Sequence, residues 1–394
     1  MEKYDVAIIG AGPAGSMAAK YAVKAKAAVL LLEEHRSAGW PVQCAGLLGI
    51  KAIEESELAP GSFLMREVRG AKVHSPSGFT LSFKAEDTKA WVVNRRLFDR
   101  ALVAEAVQYG DIDFRVASPV TGLTRDAGWN VLSIGRGSDS WKAKAKVVIS
   151  AEGVGAKIAR SAGIPGPEKI LSSAQVEVPF KTEDPESVEI YIGRDVAPGF
   201  FAWAIPTGDG AARVGLSSRA NACDQLKRFL KSRNIRDRVV PSPIGLVVGG
   251  LPLGPSPSTV AEGLLAVGDV VGQVKPTSGG GIYPGLVSAK IAGEVAATAA
   301  LEGDNSAKRL AEYERRWRKA LGRELSLGMR AHGMMARMKD EDMDYLVCKM
   351  NESEKLVRII ERYGDIDEPS LVMKKLAPRL GLSMARMMWR LYKG

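Results

Sequence analysis

Tyr4-Asp-Val-Ala-Ile-Ile-Gly-Ala-Gly-Pro-Ala-Gly15 decides the fold class of this 394-residue chain. Val6 to Ile9 is an apolar strand that runs into Gly10, Gly12 and Gly15. Ser16 to Ala25 follows as a helix of small residues, and Ala28 to Leu32 as a second buried strand ending at Glu33. In such a unit Gly10 permits the tight turn, Gly12 lets the backbone approach a pyrophosphate, and Gly15 lets helix and strand pack closely, with the helix N-terminus toward the phosphates. Glu33 is placed to accept ribose hydroxyls, whereas Glu34 lies one residue beyond, on the opposite side. A lone GxGxxG is weak, and a glycine-rich turn of any parallel α/β protein is the bland alternative. Strand, glycines, helix, strand and terminal acid together read as dinucleotide binding.

A second cluster favours FAD over NAD. Leu264-Leu-Ala-Val-Gly-Asp269 is another short buried strand, ending in an acid about where a flavoprotein needs a carboxylate for the ribityl chain. Beyond it, Pro276-Thr-Ser-Gly-Gly-Gly281-Ile282 leads into a helix from about Tyr283 to Leu301. Backbone N–H groups at Gly280 and Gly281 and a helix N-terminus again point at something polar or anionic. No second complete GxGxxG is present for a nicotinamide, since Gly153-Val-Gly155 lacks the third glycine, so the reductant is left open between NAD(P)H, a ferredoxin and another carrier.

Composition bounds the rest. The chain exceeds one ordinary domain. With the strand starting almost at Met1 and no apolar run near the ~20 residues that span a bilayer, a cytoplasmic protein is expected. Cys44, Cys223 and Cys348 are too scattered for a disulfide framework, and His35, His74 and His332 offer no metal pattern, so no metal is expected. The net charge of +10 suggests an anionic partner. Its cations are interleaved with acids and no nucleic-acid motif is legible, so nucleic acid is not expected; a solvated surface is the bland reading and an anionic membrane surface, met peripherally at its inner face, the functional one.

Along the chain two domains interleave. A hairpin is expected over Gly70 to Phe83, an amphipathic helix over Arg95 to Tyr109, and a strand meander over Phe114 to Ser150. Ala174 to Phe180, Val188 to Ile192, Phe200 to Pro206 and Ala212 to Ser217 suggest one antiparallel sheet, interrupted by a helix over Asn221 to Ser232. The proline-rich stretch Pro241 to Pro257 reads as a connector. The last ninety residues look helical, and ten of the thirteen methionines fall after residue 325. Methionine there is either helix core or, functionally, the wall of a tunnel or a membrane-touching face for a long flexible apolar substrate. Met384 to Tyr392 mixes apolar and basic residues as an interfacial helix would.

Pro41-Val-Gln-Cys-Ala-Gly46, Pro198-Gly-Phe-Phe-Ala-Trp-Ala-Ile-Pro206 and Gly268-Asp269 through Gly281 together resemble the geranylgeranyl reductases, especially the archaeal digeranylgeranylglycerophospholipid reductases, over nearly the whole chain. The resemblance implies a fold of class α/β with an α+β insertion: a Rossmann-like FAD-binding domain of the aromatic-hydroxylase type (1–70, 95–170, 259–302), an antiparallel-sheet substrate domain (71–94, 171–258) and a helical C-terminal region (303–394). It implies an oxidoreductase that hydrogenates geranylgeranyl chains of membrane-lipid precursors to saturated, archaeol-type lipids, with an isoprenoid lipid and an electron donor as partners. It puts Ala14 and Glu33 on the AMP half of FAD, Arg95 near the pyrophosphate, Val120 on the adenine side, and Asp269, Gly281 and Ile282 along the ribityl chain and isoalloxazine. Cys44, Ala45 and Leu47 would pass the flavin, and Phe200, Phe201, Trp203 and Pro206 would belong to the lipid cavity. The chain departs from the family in three places: Ile205 replaces a second aromatic, Cys44-Ala45-Gly46-Leu47 lacks the family's loop carboxylate, and Glu152 stands where related flavoproteins often carry Asp.

The implied chemistry places hydride on one alkene carbon and a proton on the other, in dry surroundings. Cys44 is a candidate proton donor or positioning group, with a packed thiol the alternative; Tyr283 is a weaker candidate. Two rival readings share the scaffold, a flavin monooxygenase or epoxidase of an apolar substrate and a non-catalytic prenyl-lipid carrier.

Overall fold

The computed structural model describes residues 1–208, 210–240 and 245–379; the expected interfacial helix at Met384 to Tyr392 lies outside them. The apolar run Val6 to Ile9 sits centrally in an eight-stranded sheet. Its core runs Leu264–Ala266, Trp141–Ser150, Glu2–Ile9, Val29–Leu32, Ile112–Arg115, all parallel. Parallel strands are covered on both faces, which explains runs such as Val29–Leu32 that are buried without alternation. Val6, Ile8, Leu31, Val147 and Ile149 face the helices Pro13–Lys24, Arg95–Gln108 and Ile282–Glu302. Ala7, Ile9, Leu30, Leu32 and Val148 face the other way, under Leu132 and Ile134 of the antiparallel pair Val120–Asp126 and Trp129–Ile134.

The second sheet runs Gly245–Leu253, Lys169–Pro179, Ala211–Ser218, Ala202–Gly208, Ser187–Tyr191, Gly70–His74, Thr80–Lys84. It departs from the expected all-antiparallel sheet at one place: Ser187–Tyr191 runs parallel to Gly70–His74. The chain returns to the earlier hairpin only after crossing through the first sheet, and a long crossover of that kind leaves direction free. A further correction concerns the proline-rich connector, since Gly245–Leu253 is an edge strand paired with Lys169–Pro179. Gly249, Gly250 and Pro252 hide it from propensity, and an edge tolerates proline because one side of the ladder has no partner to lose. A three-stranded sheet, Leu47–Gly49, Ala90–Val93, Leu64–Val68, lies between the two large ones.

The C-terminal helices are Ala307–Met335, Asp340–Asn351, Glu354–Tyr363 and Pro369–Leu376. The first is anchored by two fully buried aromatics that keep their polar atoms paired. Tyr313 donates to Ala266 O at 3.0 Å and accepts from Gln273 Nε2 at 3.0 Å, while Gln273 Oε1 accepts from Gly268 N at 2.7 Å. Trp317 Nε1 donates to Thr259 Oγ1 at 3.1 Å. The long helix therefore fixes the turn that presents Asp269. Removing either ring would cost about 3–5 kcal/mol.

Candidate functional site

One cavity of about 1090 Å³ runs from the first glycine turn, across the second glycine loop, and between the second sheet and the C-terminal helices. Two helix N-termini open into it, and neither is capped by a side chain: Gly12 precedes the helix Pro13–Lys24, and Gly281 precedes Ile282–Glu302. Uncapped N–H groups at converging helix starts suit an anionic ligand. The first turn is dictated by contact. A Cβ on Gly15 would lie 1.8 Å from Gly10 O, whereas a Cβ on Gly12 would meet nothing within 4 Å, so protein packing leaves open space where a phosphate must approach. Thr277 Oγ1 and Ser278 Oγ, in the second loop, are buried without partners among the described residues and line the same cavity. Orphaned hydroxyls beside an uncapped helix fit a polar ligand there, and the whole donor set suits a flavin nucleotide.

Glu33 is held at the strand end, its Oε2 accepting from Ala11 N at 3.0 Å and its Oε1 from His35 N at 3.0 Å. Glu34 stands 63% exposed at the rim. Arg95, the first residue of its helix, grips Asp99 with Nε at 2.8 Å and Nη2 at 2.9 Å. Burial opposes its charge, but Asp99 and the adjoining Cys44 side chain outweigh burial and hold the guanidinium protonated. Across the cavity, burial raises the Asp269 carboxyl above its ordinary value, with Arg95 opposing. Glu152 has a structural duty: it accepts from Ile158 N at 2.9 Å, Ala159 N at 3.1 Å and Ser150 Oγ at 2.6 Å, fastening the short helix Lys157–Ser161.

The loop carrying Cys44 is tied to the second sheet. Trp203 Nε1 donates to Gln175 Oε1 at 2.9 Å, and Gln175 Nε2 reaches Cys44 O at 3.5 Å. Arg213 Nη1 donates to Ala45 O at 2.8 Å and Val93 O at 3.1 Å. Phe200 stacks on Phe201 with centroids 4.3 Å apart, and Phe201 meets Trp203 edge-on at 6.2 Å. Beyond this aromatic step the wall turns apolar: Val73, Leu81 and Val188 from the sheet, Met335, Met343 and Met350 from the C-terminal helices, and Met338 from the turn between the first two of them.

Nearly all the residues singled out above line this one cavity: Gly10, Gly12, Ala14, Glu33, Cys44, Ala45, Leu47, Arg95, Val120, Asp269, Gly280, Gly281, Ile282 and Tyr283 on its cofactor side, and Phe200, Phe201 and Trp203 on its apolar side. Two are not brought there. Gly15 serves the helix–strand contact, and Pro206 is buried away from the lining, because alternation along Ala202–Gly208 turns Trp203 and Ile205 inward and Pro206 outward. Sequence reasoning missed Gln175, His332 and the buried pair Lys275–Asp367. Lys275 Nζ lies 2.5 Å from Asp367 Oδ1 and donates to Ile366 O at 2.9 Å. Burial pushes this ammonium below its ordinary value, opposed by Asp367. His332 is 2% exposed with Nε2 unpartnered, and burial, aided by Lys169 and Arg219, lowers it to about 4, so it is neutral at pH 7. Among the described residues no helix is long and apolar enough to cross a membrane.

Against known proteins, residues 169–249 match the geranylgeranyl reductase catalytic domain, and residues 4–190 the pyridine nucleotide-disulphide oxidoreductase domain. The chain is 37% identical over 361 residues to the digeranylgeranylglycerophospholipid reductase of Methanocaldococcus jannaschii, covering 89% of this chain and 91% of that one. It is 34% identical to the protein of that name from Methanosarcina acetivorans, covering 89% of each. Among solved structures it is similar to a geranylgeranyl bacteriochlorophyll reductase-like protein of Thermoplasma acidophilum, with TM-score 0.83 and 28% identity over 96% of this chain and 100% of that one. It also shares its fold with p-nitrophenol 4-monooxygenase of Pseudomonas putida, TM-score 0.74 at 15% identity, over 95% and 98% of the two chains.

Proposed function

The chain belongs to the digeranylgeranylglycerophospholipid reductase family, and on that premise we propose that it binds FAD and hydrogenates the double bonds of geranylgeranyl chains in membrane-lipid precursors, yielding saturated, archaeol-type lipids. The observation that carries this reading is the continuity of the cavity, which joins two uncapped helix N-termini to an aromatic and methionine-rich wall. On this reading the parts at 1–70, 95–170 and 259–302 hold the cofactor, 71–94 and 171–258 shape the lipid cavity, and the described helices after residue 303 close it.

Bound reduced flavin supplies hydride to one alkene carbon while a proton is added to the other. The protein's part is to hold, dry and protonate. The N-termini at Gly12 and Gly281 take the anionic and polar parts of FAD, with Glu33 on the ribose, Arg95 toward the pyrophosphate and Asp269 toward the ribityl chain. Phe200, Phe201 and Trp203 exclude water and orient the alkene. Cys44, beside the charged Arg95, is the proposed proton donor or positioning group; Tyr283, whose hydroxyl burial raises above its ordinary value, is the weaker candidate. The unbranched methionine side chains let an irregular isoprenoid slide to present successive bonds. An electron donor re-reduces the cofactor, and the protein works in the cytoplasm, peripherally at the inner membrane face.

The test is anaerobic reduction with dithionite, addition of digeranylgeranylglyceryl phospholipid, and mass spectrometry of the lipid. Gain of hydrogen in pairs is expected. Unchanged lipid under these conditions, with oxygen incorporated only in air, would replace the reading with a monooxygenase.

A further inference from the structure

Resting on the reading of the substrate as a membrane lipid, we propose that the chain docks on an anionic bilayer through the outer face of the second sheet at its free edge. Among the described residues, the edge strand Gly245–Leu253 has a partner on one side only. Its two faces differ. Val247, Gly249 and Leu251 look into the cavity, which the backbone at Gly250 and Pro252 also borders toward the end of the strand. Leu246 and Val248, in register with Val176 and Ala174, project from the opposite face and are 63% and 48% exposed. Ile170 of the neighbouring strand, on that same face, is 47% exposed. The stripe continues into a shallow apolar groove over Val176, Val178, Leu230 and Val239, whose rim carries Lys227, Lys231 and Arg236.

The rim belongs to the helix Ala222–Leu230 and the turn after it. Ala222, Leu226 and Phe229 bury against the sheet, which leaves the basic positions outward. Residues 222–238 hold Lys227, Arg228, Lys231, Arg233, Arg236 and Arg238 against Asp224 and Asp237 alone. The contacts Lys227–Asp224 at 3.9 Å and Arg236–Asp237 at 3.5 Å are solvent-exposed and weak, while Arg238 is committed to Glu189. An exposed apolar stripe beside concentrated cations calls for a partner that is apolar inside and anionic at its surface. A second copy of this chain meets only half of that requirement, because a two-fold contact would set the same cations against each other. A bilayer meets both. A lipid drawn from it would reach the cavity around the free edge of a single strand.

The experiment is co-sedimentation of the full-length holoprotein with phosphatidylcholine vesicles, with and without 30% phosphatidylglycerol. Two variants accompany it, Leu246→Ser with Val248→Ser, and Lys227→Glu with Lys231→Glu. The wild type is expected to bind the anionic vesicles in a salt-sensitive way, and the charge variant to lose roughly 25-fold or more, about fivefold for each lysine lost before the repulsion from the added carboxylates. The serine variant should bind weakly even at low salt, and both should reduce detergent-dispersed lipid as the wild type does. Wild-type vesicle binding by both variants would overturn the proposal. So would a wild-type dimer that the serine variant splits, which would make the stripe a subunit contact. Vesicle binding that depends on these residues, with detergent-dispersed lipid unreduced by every form, would refute the functional reading and leave the docking face standing.

Discussion

Replacing Asp367 by Asn tests how the C-terminal region is fastened to the cofactor loop. Asp367 is 1% and Lys275 7% exposed in their side chains, so the pair is dry. The carboxylate also accepts from Ala52 N at 3.3 Å, and the ammonium has Ile366 O at 2.9 Å as a second acceptor. Attraction and desolvation nearly balance in a dry pair, but removing one member leaves the other uncompensated, at about 3–5 kcal/mol. Asn keeps the shape and one acceptor, so the lower half of that range is expected. Against a urea dependence of about 3 kcal/mol per molar, the unfolding midpoint should fall by about 1 M. Tryptophan and flavin fluorescence, read together at fixed flavin concentration, supply the measurement. Lys275→Met combined with Asp367→Leu should restore most of the loss, since both charges then leave together. A midpoint shift below 0.3 M, about 1 kcal/mol on the same slope, or a double variant worse than either single, would refute the claim that the pair is desolvated and coupled.

Three further outcomes are expected. Gly12→Ala should leave the apoprotein folded by circular dichroism yet strip it of flavin, because the added methyl meets no protein atom and fills the approach to the phosphates, whereas Gly15→Ala, with its Cβ 1.8 Å from Gly10 O, should fail to fold stably. Glu57 joins Lys20 at 2.9 Å to Lys290 at 2.7 Å; burial opposes its charge, but Lys290, Tyr21 and Lys20 hold its carboxyl down at about 2. Its folded value being depressed, the stabilisation is full above the unfolded value near 4.3 and is lost as pH falls toward 2, so Glu57→Gln should flatten the acid limb of the thermal-stability profile between about pH 4.5 and 2. Met343→Trp, in the far wall of the cavity, should reduce kcat/KM for twenty-carbon chains by about tenfold or more while sparing ten-carbon analogues, a contrast worth ~1.4 kcal/mol; equal losses on both would remove Met343 from the substrate wall.

What was legible in the sequence follows from how local each constraint is. Gly15 is dictated by its contact with Gly10 O, five residues back, and Gly10 by a φ of +100°, so the turn is legible directly even though Ala151 also crowds it; so are the buried strands feeding it. The aromatic run Phe200 to Trp203 is legible only through the family resemblance, since a strand pattern alone gives no reason to prefer cavity over core. The same resemblance puts Pro206 in the cavity, although alternation along the strand turns it away from Trp203. Lys275 and Asp367 lie 92 positions apart and meet only because a C-terminal segment folds back over the second glycine loop. Nothing local announces such a pair. The same holds for Gln175, which reads as one polar residue in a strand until Trp203 and the Cys44 loop close on either side of it. The edge strand Gly245–Leu253 was hidden because glycine and proline there speak for turns, and only its position in the sheet makes them tolerable.

The methionine-rich wall comes from one contiguous stretch of chain, while the groups proposed to act on the flavin and the alkene come from the residues before it. Chain length and chemistry are thus written in separable parts of the gene. Exchange of the C-terminal helices between relatives, provided that Lys275 still finds its carboxylate, could resize the substrate without touching the reaction, which gives lineages facing different membrane demands a short mutational route to new lipids.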